Sequence, residues 1–161
     1  MDHVKLLQLL EKDCTLTTAQ LAGMMSERES VIIDAIHDLE VEKEILGYKA
    51  IVDWDKTEHE AVTALIEVNV TPQRGEGFDR LAERIVQYDE VESMYLMSGG
   101  FDFTVILSGR TLTEVARFVG EKLAPLDGVT KTSTHFILKK YKEKHLMFKT
   151  AEKQEEGFVF V

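Results

Sequence analysis

The sequence predicts an α+β fold in two parts, an N-terminal helix-turn-helix followed by a ferredoxin-like βαββαβ sandwich. Three observations carry that reading. The stretch from Glu90 to Lys140 runs strand, Gly-rich corner, strand, helix, strand, with the corner at Ser98-Gly99-Gly100-Phe101-Asp102. A strand over 61–70 (AVTALIEVNV) and a helix over 75–89 (GEGFDRLAERIVQYD) precede it and complete a split βαβ unit. Ahead of both lie three helix-forming segments, two of them opened by capping signals.

The first segment, Val4 to Glu11, places Val4, Leu6, Leu7, Leu9 and Leu10 on one broad helical face. Thr17 with Gln20 forms a T-x-x-Q capping box that starts a second helix at Thr18. Ser26 with Glu29 predicts a second box, opening a third helix over Glu27 to Glu42 that buries Val31, Ile32, Ala35, Ile36 and Leu39. With side chains about 100° apart around the axis, the opposite side centres on Ser30 and His37, flanked by Ile33, Asp34 and Val41. The alternating run KAIVDWDK then predicts a strand or wing. The expected division is 1–47 for the helix-turn-helix and 48–60 for a connecting strand and linker, then 61–141 for the sandwich and 142–161 for a tail. That tail ends in Phe158-Val159-Phe160-Val161 and reads as a frayed terminus.

Within the sandwich, Ala64, Ile66 and Val68 alternate with Leu65, Glu67 and Asn69, a half-buried strand pattern. Thr71-Pro72 closes that strand, and Pro125 before Leu126-Asp127-Gly128 ends the second helix, expected over Thr113 to Leu123. The last strand, about Lys131 to Tyr141, puts Thr132, Thr134 and Phe136 on one face and Ser133, His135 and Ile137 on the other. One sheet face carries the helices. The other is expected to expose alternating apolar residues along Ala64 to Val68, and so to need a second copy of the chain.

Composition narrows the classes. With 161 residues of which 44% are hydrophobic, the chain can bury a core. No window reaches the roughly 18 apolar residues of a membrane span, and the N-terminus lacks a signal-peptide pattern, so the expectation is a cytoplasmic protein without membrane partners. Cys14 is the single cysteine, which excludes an intrachain disulfide and a cysteine-built metal site. Up to residue 60 there are 6 Lys/Arg against 14 Asp/Glu, and from 61 onward 13 against 15. The acidity is concentrated in the helical part.

The order and spacing of these elements resemble the Lrp/AsnC family over roughly residues 1–141. The match in the first part lies in the two caps, Val31, Leu39-Glu40, and Ile45 followed by Gly47-Tyr48. In the second part it lies in Val62 to Val70, the helix from Phe78, Val91, Met97-Ser98-Gly99 leading to Asp102, the helix 113–123, and Leu126-Asp127-Gly128-Val129. The resemblance implies a winged helix-turn-helix that binds double-stranded DNA, joined to a domain that senses amino acids and builds dimers, tetramers or octamers. Two departures stand out. Lys43 occupies the place where the family ends helix three with glycine, and helix three carries Arg28 as its one cation against Glu27, Glu29, Asp34, Asp38, Glu40 and Glu42.

For DNA, Ser30 and His37 can hydrogen-bond base edges and Ile33 can touch a thymine methyl. Arg28 and the helix starts at Thr17, Thr18 and Ser26 can meet phosphates. For an effector, backbone N–H groups at Ser98, Gly99, Gly100 and Phe101 can hold a carboxylate and Asp102 can pair with an ammonium group. The resemblance extends that pocket to Thr132 and Thr134. No cofactor or metal site is expected. An enzyme is not expected either, because His3, His37, His59, His135 and His145 show no paired spacing or nucleophile arrangement. The alternative to DNA is a sensor whose acidic helix docks a protein through Ile33 and Val41.

Overall fold

The structure is a computed structural model that describes residues 1–59, 61–71, 77–109 and 111–148. It divides into two compact units, 1–51 and 52–161.

The first unit holds α1 (His3–Lys12), α2 (Thr18–Met25) and α3 (Glu29–Val41). Asp2 caps α1 by accepting from the Lys5 N–H at 3.0 Å. At α2 the capping box is complete: Thr17 accepts from the Gln20 N–H, and the Gln20 side chain accepts from the Thr17 N–H at 2.8 Å. The second expected box does not form. Ser26 ends α2 in the left-handed conformation at φ 56°, and Arg28 stands at the N-cap of α3 with no side-chain cap. The turn between the helices is too tight for Ser26 to reach forward. Glu29 instead accepts from the Thr18 hydroxyl at 2.5 Å, tying the first turn of α3 to that of α2.

Leu6 and Leu10 of α1, Leu21 and Ala22 of α2, and Ile32, Ala35 and Leu39 of α3 form the core. Val4 and Val31 fall outside that cluster, Val4 being mostly exposed, so the buried stripes are narrower than expected. Past α3, Lys43 takes the left-handed conformation at φ 63° that glycine commonly supplies. A non-glycine residue there costs on the order of 1 kcal/mol. The Glu44 and Ile45 N–H groups then return to the Leu39 carbonyl, each at 3.0 Å.

The wing expected over KAIVDWDK is absent as a strand: Trp54–Lys56 form a 3₁₀ turn, and the Trp54 ring stacks tilted against His59 at 4.7 Å. Its alternating residues find no neighbouring strand within the described chain. Ile51, Val52 and Trp54 remain exposed.

The second unit runs β1 (Val62–Val70), α4 (Asp79–Ile85), β2 (Val91–Leu96), β3 (Phe103–Gly109), α5 (Leu112–Phe118) and β4 (Val129–Phe136). α5 continues as a π turn over Val119–Leu123. A two-stranded hairpin of β5 (Lys142–Glu143) and β6 (Leu146–Met147) follows. The main sheet has four antiparallel strands in the order β2-β3-β1-β4, as the βαββαβ pattern demands. The helix expected over 75–89 spans Asp79–Ile85 among the described residues, and residues 72–76, with Pro72, lie outside them. The last strand stops at Phe136 rather than near Tyr141. Phe158 to Val161 also lie outside the described residues.

Ala64, Ile66 and Val68 on β1, with Phe103, Val105 and Leu107 on β3, face Ile85, Val115, Phe118 and Leu123 and form the core. This corrects the expectation for the opposite face. The apolar set of β1 lies under the chain's own helices, and the strand period of two leaves Thr63, Leu65, Glu67 and Asn69 on the other side. There Glu67 stands opposite Thr104 and Ser133, and His135 Nε2 lies 3.4 Å from Glu67 Oε1. The open face is mixed, with Leu65, Ile106 and Tyr95 set among polar groups.

Candidate functional site

Two places bring together residues with binding chemistry, one in each unit.

In the helical unit, Ser30, Ile33, Asp34 and His37 are all exposed on one side of α3. Ile33 is 50% exposed and Val41 63%, a sizeable apolar contribution on a helix so rich in carboxylates. Several expected contacts are committed elsewhere. The Thr17 hydroxyl is engaged with Gln20 and the Thr18 hydroxyl with Glu29, so at α2 it is the backbone N–H groups of the first turn that remain for an anion. Ser26 and Arg28 are exposed at the turn. Glu40 is drawn away from that side: it accepts from the Tyr48 hydroxyl at 3.0 Å. Burial, then that hydrogen bond and charge, raises the Tyr48 phenol above its ordinary value.

In the sandwich, the corner joins β2 to β3. Met97 N–H donates to the Asp102 carbonyl at 2.7 Å and closes the loop. Asp102 is also built into the sheet: its N–H donates to the Val68 carbonyl at 3.0 Å, and its Oδ2 accepts from the Val70 N–H at 2.8 Å. That second bond sits where the β1/β4 register shifts, between Asn69 and Val70, and supplies an acceptor that the irregular ladder does not. Oδ1 accepts no hydrogen bond among the described residues.

Ser98, Gly99 and Gly100 are exposed and Phe101 is half-buried. Neither Gly99 nor Gly100 is among the glycines with positive φ, and a Cβ built on either meets nothing within 4 Å. A turn that needed glycine for its own geometry would show one or the other. Thr132 stands across from Val68 and Thr134 across from Ile66, one strand beyond β1 from the corner, both half-buried and on the helix-covered side. The corner and the two threonines therefore flank the same strand, with β1 between them. Sequence reasoning missed Asn69, whose side-chain amide donates to the Gly100 carbonyl at 3.2 Å and anchors the corner to β1. A polar residue ending an apolar strand was the available signal.

Among the described residues no helix is long and apolar enough to cross a membrane, and no group of three or more potential ligands could hold a metal ion.

Residues 63–147 match the Lrp/AsnC ligand binding domain. Over 137 residues the chain is 51% identical to the uncharacterized HTH-type transcriptional regulator YugG of Bacillus subtilis, covering 84% of this chain and 81% of that protein. A transcriptional regulator from Neisseria meningitidis, solved in complex with L-Met, shares the fold with a TM-score of 0.69 at 21% identity, over 88% of this chain and 90% of that one. The leucine response regulatory protein LrpA of Mycobacterium tuberculosis does so with a TM-score of 0.72 at 19% identity, over 89% and 96%. With a domain match across more than half the chain and a relative identical at half its positions, the chain belongs to the Lrp/AsnC family of HTH-type transcriptional regulators.

Proposed function

We propose that this regulator binds double-stranded DNA through α2 and α3 as a homo-oligomer, and that an amino acid bound at the Ser98–Asp102 corner modulates it. The observation that carries the effector reading is the pair Gly99 and Gly100, which the single chain's geometry does not require. Open glycine backbone beside a carboxylate suits a small zwitterion: N–H groups face its carboxylate and Asp102 Oδ1 faces its ammonium. The Neisseria relative's L-Met complex supports that ligand class. Thr132 and Thr134 are assigned the more distant wall. A second copy covers the open sheet face around Leu65, Ile106 and Tyr95, and dimers associate further into tetramers or octamers.

On DNA, Ser30 and His37 read base edges, Ile33 contacts a thymine methyl, and Arg28, Ser26 and the α2 start at Thr17 and Thr18 meet phosphates. With so few cations, each subunit binds weakly, and several subunits on spaced half-sites supply the affinity.

Two experiments test this. Incubating the protein with sheared genomic DNA at low and high salt should enrich particular sequences over bulk. Enrichment of none, with protein captured instead through Ile33 and Val41, favours the docking alternative. In a melting screen of the twenty amino acids, a binder at about 100 times its dissociation constant should stabilise the protein by about 2.7 kcal/mol. Gly100→Ala should remove that shift and leave the unliganded melt unchanged. A shift that survives Gly100→Ala moves the effector away from the corner.

A further inference from the structure

At the end of β3 away from the corner, α5, the last residues of β3 and the chain entering β1 enclose a cavity of about 550 Å³. Small-molecule sites span roughly 300–1,000 Å³. None of Ser98–Asp102, Thr132 or Thr134 lines it. Its floor is apolar, formed by the buried side chains of Leu107, Val115 and Phe118. Gly109 keeps strand and helix in close approach there, since a Cβ on it would lie 3.1 Å from Val115 Cγ2.

One end of this cavity already holds a primary ammonium group. Lys122 Nζ pairs with the Glu90 carboxylate and lies 5.4 Å and 5.5 Å from the ring centroids of Tyr88 and Phe118, which themselves meet edge to face at 5.3 Å. A carboxylate beside two aromatic rings is the environment that organic ammonium groups select. Because Glu90 and Lys122 neutralise each other, the charged groups left at the mouth are Glu114, Glu121 and Arg117, two acids to one base. An anion entering meets the carboxylate excess, and a neutral apolar molecule leaves it without a counter-charge. An ammonium balances it while its body covers the apolar floor.

We propose that this cavity binds a primary amine carried on an apolar or aromatic body, at a site separate from the corner. His59 and Ala61 line it in the chain that enters β1, so an occupant touches the segment leading out of the helical unit.

The test is calorimetric titration of the full chain with 2-phenylethylamine, 3-phenylpropanoate and 2-phenylethanol. The amine should bind at least about tenfold tighter than the acid, a difference of about 1.4 kcal/mol. Ala61 is exposed, so Ala61→Trp should keep the wild-type melt while closing the mouth and abolishing amine binding. Glu121→Gln should weaken the amine severalfold and leave the alcohol unchanged. Equal affinity for amine and acid, no heat with the amine at millimolar concentration, or amine binding retained in a normally folded Ala61→Trp protein overturns the proposal.

Discussion

The helical unit and the sandwich are stabilised to different depths. Among the described residues the helical unit gathers seven buried apolar side chains, two of them alanines, whereas the sandwich gathers twelve under a four-stranded sheet. The helical part also concentrates the charge imbalance, 6 Lys/Arg against 14 Asp/Glu up to residue 60. A small core under an acidic surface has less burial to set against self-repulsion and chain entropy. The unit expected to touch DNA is therefore the less stable one.

The most severe test of that contrast is a matched pair of core truncations. Ile32 and Ile66 are both fully buried, and replacing either by alanine should cost about 2–5 kcal/mol. Ile32→Ala should unfold the helical unit and abolish DNA binding while the oligomer size in light scattering stays unchanged. Ile66→Ala should lower the upper transition in a thermal melt and disturb assembly. A single transition displaced equally by both substitutions would show that the units unfold together and sink the comparison.

Next in size is Asp102. The sequence presents it as a residue for a ligand's ammonium, removable without harm to the fold, yet its Oδ2 holds the Val70 N–H at the sheet irregularity. Losing a hydrogen bond to a charged group costs about 1.5–3 kcal/mol. Asp102→Ala should thus destabilise the unliganded sandwich by an amount in that range, read by denaturant unfolding, whereas Gly100→Ala should not. An unchanged midpoint for Asp102→Ala returns the residue to ligand binding alone.

The same contrast governs what the sequence made legible. Strand alternation in 62–68 and the Thr17/Gln20 box are local patterns, and local hydrogen bonding and side-chain period decide them. The order β2-β3-β1-β4 followed from element order because few topologies join a split βαβ unit. What could not be read was set by non-local partners. Ser26 obeys the capping-box spacing but is held in a left-handed turn, and Glu29 goes to Thr18 across the helix pair. KAIVDWDK alternates like a strand but lacks a neighbour to pair with. Period two shows that a strand has two faces without saying which one meets the helices, so the open face was misassigned. At the corner, sequence shows the glycines, but only backbone angles and empty space distinguish a turn requirement from a binding surface.

A charge reversal probes the acidic side of α3 directly. Asp34→Arg removes a repulsion and adds a phosphate partner, so non-specific DNA binding should tighten and the slope of log K against log salt should steepen by about 0.9 per added contact. Ser30→Ala with His37→Ala should instead erase sequence preference and leave the slope unchanged. If Asp34→Arg alters neither affinity nor slope, this side of the helix does not face DNA.

The smallest expected effect isolates the sandwich. The Lys122 ammonium hydrogen-bonded to Glu90 holds that carboxyl below its ordinary value of 4.5, against the opposing effect of partial burial. A depressed folded-state value means that the pair's stabilisation is complete above the unfolded value and is lost as pH falls through the folded one. Both side chains are more than a third exposed, at 45% for Lys122 and 38% for Glu90, so solvent screening limits the pair to a few tenths of a kcal/mol, up to about 1. Lys122→Gln should accordingly lower the stability of the upper transition slightly at neutral pH, and wild type and variant should converge once pH falls below the ordinary carboxylate range. Because Glu90 and Lys122 both belong to the sandwich, the lower transition should be indifferent to the substitution at every pH. Movement of the lower transition in parallel would mean that the two units share their stability after all.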